Sequence, residues 1–361
     1  MRPASYLALF LTFAALAALA GCARRDAPGA RAARPAARPD PPIAAAPAAL
    51  QHVSDSEEWF PFEQFVAGLL LDERFDSLDS LAATCGAGAP RFRDGSSREL
   101  HFYMAVAGDN FPLSRGQSAR FVGALKRWRA ARPESRAAAA GYACAMVTLA
   151  WDERGGAVAT RTSERQFARF AEDLALAWEA LAPNDNTRGR VGGWYIAAMR
   201  VGLGMGWQRG RLMQARNDCL RDAPWIESIE GMVARALLPR WGGEPGEWER
   251  FALAVAKSSP DGRGPQRYAW IVWLLDEVHG NIFRETAASW PTAHAGYEAL
   301  EREHPDSVTL PSRHARFAWL AGDREVAKAL FTKLGDRVDL TVWSGDEEFL
   351  AARAWAAAPP S

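Results

Sequence analysis

The residues able to do chemistry in this 361-residue chain are plentiful but scattered. Six histidines stand at His52, His101, His279, His294, His304 and His314, none four positions from another and none with a cysteine at ligand spacing. A zinc site needs side chains gathered on one short element or loop, so no metal is expected. No serine lies in a Gly-x-Ser-x-Gly elbow, and no glycine-rich loop ends in Gly-Lys-Ser/Thr, which argues against an acyl-transfer nucleophile and a phosphate cradle. Gly202-Leu203-Gly204-Met205-Gly206 alternates glycines, but it lies in a helical pattern with Trp194, Val201 and Trp207. That context predicts close helix packing rather than phosphate binding. Carboxylates are abundant, and the sequence prefers no pair of them. No catalytic residue, metal or cofactor is therefore expected, and the expectation is a protein that is not an enzyme.

Cys22 is the one side chain with an assignable chemistry. Met1-Arg2 gives a positive start, and residues 4 to 21 carry no charge, a stretch suited to export and too slight for a permanent span. It ends in Leu19-Ala20-Gly21-Cys22, which resembles the lipobox of bacterial lipoproteins. The resemblance implies that residues 1–21 are a cleaved signal and that the Cys22 thiol takes a diacylglyceryl group. Several acyl chains hold a protein to a bilayer far more firmly than one. Ala23 follows, not the aspartate of inner-membrane retention, so the outer membrane of the cell envelope, facing the periplasm, is the expected location. Residues 22–50 form an Ala/Pro/Arg-rich tether: Arg34-Pro35, Arg38-Pro39 and Pro41-Pro42 lack the apolar period needed to bury a core.

The body, residues 51–361, holds 37 basic and 41 acidic residues, the wrong sign for a nucleic-acid partner. Cys85, Cys144 and Cys219 allow three disulfide pairings in an oxidising compartment; buried, unpaired thiols are preferred. Periodicity is helical almost throughout. Trp59, Phe62, Phe65, Val66, Leu69 and Leu70 recur at three- and four-residue spacing, as do Phe167, Phe170, Leu174, Trp178 and Leu181. Ser163 and Gln166 have capping-box spacing. Helix ends are predicted before Pro133, Pro183, Pro224, Pro260 and Pro305, which are 50, 41, 36 and 45 residues apart. Gly322-Asp323, then Ala327 and Phe331, matches the second half of a tetratricopeptide repeat. The fold expected is all-α, an irregular tetratricopeptide-like solenoid of helical hairpins, with a compact helical bundle as the alternative. Most of the fifteen tryptophans are expected in the core, with Trp270 and Trp273 on a central buried helix.

From about residue 51 to 345 the chain resembles an uncharacterised bacterial family, domain of unknown function 4034. The resemblance is carried by Leu238-Pro239-Arg240-Trp241-Gly242-Gly243-Glu244-Pro245-Gly246-Glu247-Trp248-Glu249-Arg250-Phe251, by Phe283-Arg284-Glu285-Thr286 with Trp290-Pro291, and by Phe317-Ala318-Trp319-Leu320-Ala321-Gly322-Asp323 with Gly335-Asp336. It implies a tetratricopeptide-like fold and no activity; the lipid anchor rests on the chain's own first residues. Within the first motif, Arg240, Trp241, Glu244 and Trp248 are candidates for a recognition edge. The preferred expectation is a clamp in which the two tryptophans plug a helix interface and Arg240 pairs with Glu244.

Two functions follow. The first is a membrane-anchored adaptor that binds a protein or peptide. The second is an envelope enzyme, most plausibly a hydrolase of cell-wall glycan. Arg211-Leu212-Met213-Gln214 faintly resembles a motif of soluble lytic transglycosylases, but their upstream Glu-Ser pair is missing. A shallow groove of aromatic and arginine side chains favours the adaptor; carboxylates converging in a deep cleft favour the hydrolase.

Overall fold

A computed structural model describes residues 50–87, 91–155, 162–185, 189–259 and 261–359. The expected signal, Cys22 and all of the tether except Leu50 lie outside these residues.

The described chain is all-α apart from two short strands. Its first third forms α1 (Ser56–Leu71), α2 (Phe75–Gly86), α3 (Arg98–Ala107), α4 (Arg115–Ala131) and α5 (Arg136–Arg154). Then come α6 (Glu164–Leu181), α7 (Gly192–Met205), α8 (Arg209–Asp222), α9 (Ser228–Ala236) and α10 (Glu247–Ser258). The last third forms α11 (Gly264–Asp276), α12 (Ile282–Glu285), α13 (Trp290–Glu303), α14 (Thr309–Ala321), α15 (Arg324–Leu334) and α16 (Asp346–Ala357).

Local chemistry sets the boundaries. At all five predicted positions a helix stops two residues before the proline, at Ala131, Leu181, Asp222, Ser258 and Glu303, because proline disfavours the helical conformation of the residue before it. Ser163 and Gln166 form the anticipated capping box at the start of α6. Gly322 ends α14 in the left-handed region at φ 78°, and Asp323 then caps α15 through the Val326 amide. Ala327 and Phe331 are buried behind that turn, as the repeat pattern requires.

Consecutive helices pack as hairpins, notably α5 on α6, α10 on α11 and α14 on α15. The odd-numbered helices from α1 to α13 also touch one another in sequence, making a continuous row. Helices of that row, such as α5, α7 and α11, are buried nearly all round, whereas α4, α6, α8 and α10 bury one stripe. A Cβ on Gly204 would come within 2.5 Å of Leu174, and one on Gly202 within 2.7 Å of Trp207, so close packing explains the glycine run. Burial is narrower than the apolar period in two places: Phe65 is 59 % exposed and Phe167 is 38 % exposed, each at the edge of its helix stripe.

The two ends of the array meet. β1 (Gln51–His52) pairs in parallel with β2 (Arg337–Val338), Gln51 opposite Arg337. Just beyond β1, the buried Asp55 leaves its own helix uncapped and reaches the start of α14, where it accepts from the Val308 and Thr309 amides and from Ser307 Oγ. Ser54 donates to Asp339 at 3.0 Å beside it. One apolar core runs from α1 to α14, and a second joins α14, α15, α16 and β2 around Phe331, Trp343 and Phe349.

Candidate functional site

Closing the two ends onto each other leaves a cleft of about 1130 Å³ between α1, the end of α11, α14 and the turn after β2. Its aromatic side chains come from three of these elements: Trp59 and Phe60, Trp273, and Trp343. Pockets for organic ligands are usually about 300–1,000 Å³, apolar in outline, with a few placed polar groups. The cleft has that make-up, is slightly larger than the usual range, and is half open to solvent.

Its charges are mostly acidic, and half of them are buried. Asp94, in the loop between α2 and α3, accepts from the Ser96 amide at 2.9 Å and from Ser96 Oγ at 2.5 Å. Burial raises its pKa, and Arg313 opposes the rise. Behind it runs a relay of side chains. Ser96 Oγ lies 2.9 Å from His101 Nε2, and His101 Nδ1 lies 2.6 Å from Glu63 Oε1. Asn110 Nδ2 donates to both Glu63 oxygens, at 2.8 and 2.9 Å. Burial pushes the Glu63 carboxyl well up and holds the His101 ring well below its ordinary pKa.

Serine, histidine and carboxylate in this order suggest a nucleophile, but Ser96 is 3 % exposed and stands behind Asp94, away from the cleft wall. The array is instead a continuous hydrogen-bonded chain from Glu63 to Asp94. Two arrangements hold the same number of protons. In one, Glu63 is protonated and donates to His101 Nδ1, Nε2–H donates to Ser96, and Ser96 donates to an ionised Asp94. In the other, each proton has moved one step and Asp94 holds the last, leaving Glu63 ionised.

On the opposite wall, Asp276 at the end of α11 pairs with Arg316 Nη1, while its second oxygen is buried without a hydrogen-bond partner. Burial raises its pKa, Arg316 opposes that, and Glu348 adds to it. His279, Arg313 and Trp343 also line this space, and their Nε2, Nε and Nε1 atoms have no hydrogen-bond partner among the described residues. Among the described residues no group of three or more metal-ligating side chains gathers.

The loop singled out in the sequence lies elsewhere. Trp241 ends a 3-10 turn (Pro239–Trp241) and is half-buried, edge-on to Trp151 at 5.6 Å, with the Arg154 guanidinium 5.9 Å from its ring centre. Trp248 opens α10 and is 2 % exposed. Gly242 takes φ 88°, and a Cβ on Gly243 would meet the Leu237 carbonyl oxygen at 1.9 Å, so the loop doubles back tightly on α9. Arg240 is exposed and does not pair with Glu244, which instead lies 3.9 Å from Arg250. The 3-10 turn points Arg240 away, while Arg250 returns on the first turn of α10. Trp248 does reach the cleft indirectly, because its ring lies 6.2 Å from that of His279.

The three cysteines of the body are buried and unpaired. Burial pushes Cys85 up to about 11 and Cys144 up to about 12, so neither is a ready nucleophile. Of the cleft lining, the sequence marked Trp59 and Trp273 as core residues and His279 as an isolated histidine; the charged lining went unmarked, although Ser312-Arg313-His314 within α14 was a signal that charge is buried there. No described helix is long and apolar enough to cross a membrane. Comparisons with family models, with curated proteins and with solved structures give no match.

Proposed function

We propose that the protein is a lipoprotein of the bacterial envelope, held at the outer membrane through acylated Cys22, whose helical body is a non-enzymatic adaptor for a peptide or protein segment. The aromatic and arginine side chains of the half-open cleft are the observation that carries this reading. The cleft's aromatic walls offer apolar contact, and its buried polar atoms without protein partners each cost about 1–3 kcal/mol until something satisfies them. A half-open space of about 1130 Å³ suits a short segment better than a long extended one. The tether lets the body reach partners away from the bilayer.

The test is a photo-crosslinking side chain at Ser344, an exposed residue on the cleft rim, with Phe65 on the outer surface as control. In native envelopes the Ser344 probe should give discrete adducts that the Phe65 probe does not, and Trp273→Ala should remove them. Identical adducts from both positions would defeat the reading.

A second reading, a hydrolase of cell-wall glycan, is favoured by one observation: Asp94 and Asp276 both line the cleft and both have pKa values raised by burial. A raised carboxyl is what a general acid in glycoside hydrolysis requires. Release of reducing ends from purified cell wall, lost in Asp94→Asn and Asp276→Asn, would establish it; no release discards it.

A further inference from the structure

Arg313 projects from α14 into the cleft wall and is 5 % exposed. The other buried arginines each pair with a carboxylate: Arg190 with Asp218, Arg200 with Asp109, Arg235 with Glu277, Arg267 with Asp261. Arg313 forms no ion pair with a described residue, and its Nε has no hydrogen-bond partner. Its guanidinium lies 3.5 Å from the ring centre of Trp273 and 5.5 Å from that of Trp270, which fixes its plane. Asp94, Asp339 and Asp55 act on it electrostatically without pairing. A buried cation is normally hydrogen-bonded to an anion, because desolvating it alone is costly. The planar fork of arginine matches a carboxylate bidentately. What Arg313 lacks is therefore an anion of that shape, with the buried Trp343 Nε1 on the same lining as a further donor.

The rest of the lining restricts which anion. It carries six carboxylates against two guanidiniums, so a phosphate group or a polyanion meets a repulsive field. A ligand with a single carboxylate and a compensating positive end does not. We infer, on the peptide-binding reading above, that the cleft selects short zwitterionic peptides, with the C-terminal carboxylate on Arg313 and the free ammonium toward the acidic remainder of the lining. Trp59 and Trp343 then flank the body of the peptide.

The experiment is affinity selection on the full lipoprotein in detergent, using three pools of randomised tripeptides read by mass spectrometry: both ends free, C-terminally amidated, and N-acetylated. The free-ended pool should be retained at least ten-fold over the amidated pool, and the acetylated pool should fall between them or below. Arg313→Gln should reduce retention of free-ended peptides to the level of the amidated ones, and Arg313→Lys, which keeps charge but not the fork, should recover part of it. Equal retention of free and amidated peptides by the parent protein, or no retention of any pool, overturns the inference, and this comparison needs no variant to fold. Trp273-dependent crosslinks at Ser344 without tripeptide retention would leave the adaptor reading standing and remove only this ligand class. Failure of both would remove both.

Discussion

Asp55 and Thr309 hold each other across 254 positions of chain: the Thr309 amide donates to Asp55 Oδ2 at 3.2 Å, and the Asp55 amide donates to Thr309 Oγ1 at 3.2 Å. A carboxylate at a helix N-terminus satisfies amides that the helix leaves open and complements its dipole. Here the capping residue is supplied by the far end of the array, so the same contact that starts α14 also closes the cleft.

Removing that carboxylate should therefore cost more than an ordinary cap. Asp55→Ala leaves the Val308 and Thr309 amides and Ser307 Oγ without their acceptor, and should lower stability by about 2–4 kcal/mol, since a cap is worth about 1 kcal/mol and charged hydrogen bonds about 1.5–3 kcal/mol each. Urea denaturation followed by circular dichroism measures it. A loss below about 1 kcal/mol would mean that the ends are held by other contacts.

The motif around Arg240 should separate by burial. Trp248→Ala empties a site inside the core and should cost about 3–5 kcal/mol. Trp241→Ala, at a half-buried position, should cost less. Arg240→Ala should change stability by about 0–1 kcal/mol, as exposed charges do. Thermal melts of the three variants give the order directly, and Arg240→Ala as damaging as Trp248→Ala would contradict it.

Stability should fall on mild acidification through His314. Its Nδ1 lies 2.6 Å from Glu301 Oε1; burial lowers its pKa, and Glu301 partly restores it. The unfolded ring takes a proton near pH 6.5 while the folded one resists, so this contribution is full above pH 6.5 and is lost as pH falls through the lower folded value. Glu301, also lowered, by His314 and Lys333 against its own desolvation, adds a loss below its ordinary value of 4.5. One proton taken up only on unfolding gives a slope of at most about 1.4 kcal/mol per pH unit. Urea midpoints at pH 7.5 and 5.5 should draw closer together in His314→Asn; an unchanged gap would reject the assignment.

The thiols of Cys85, Cys144 and Cys219 should be silent in the folded protein. Burial raises all three, so little thiolate forms at neutral pH and reagent access is blocked. A disulfide-exchange reagent at pH 8 should label none rapidly, and all three after denaturant is added. Rapid labelling of any native thiol would show that its surroundings open.

Replacing Cys22 with alanine should abolish lipid labelling and leave an unprocessed precursor, because lipidation precedes cleavage in the pathway its lipobox resembles. Metabolic labelling with a fatty acid and the size of the product test this. Normally cleaved, membrane-bound protein from Cys22→Ala would refute the anchor.

Much of this fold was legible before any coordinates. Helix periods, prolines two residues past several helices, the Ser163–Gln166 box and the Gly322-Asp323 turn all act within a few residues, so sequence alone determined an all-α chain of hairpins and many of its boundaries. It also determined the tight packing of Gly202 and Gly204, since small residues in an apolar helix have little other use. What it missed was long-range. Two-residue strands carry no period, so the pairing of Gln51–His52 with Arg337–Val338 left no local trace. Asp55 precedes α1 in sequence yet serves the start of α14, 254 positions away. Arg240 and Glu244, near in sequence, point to different neighbours. The cleft is the largest instance: Asp94, Asp276 and Arg313 come from separate hairpins and become neighbours only when the two ends of the array close. Only the tertiary structure decided that closure, because burial of a charge depends on what the rest of the chain packs around it, not on the residues beside it.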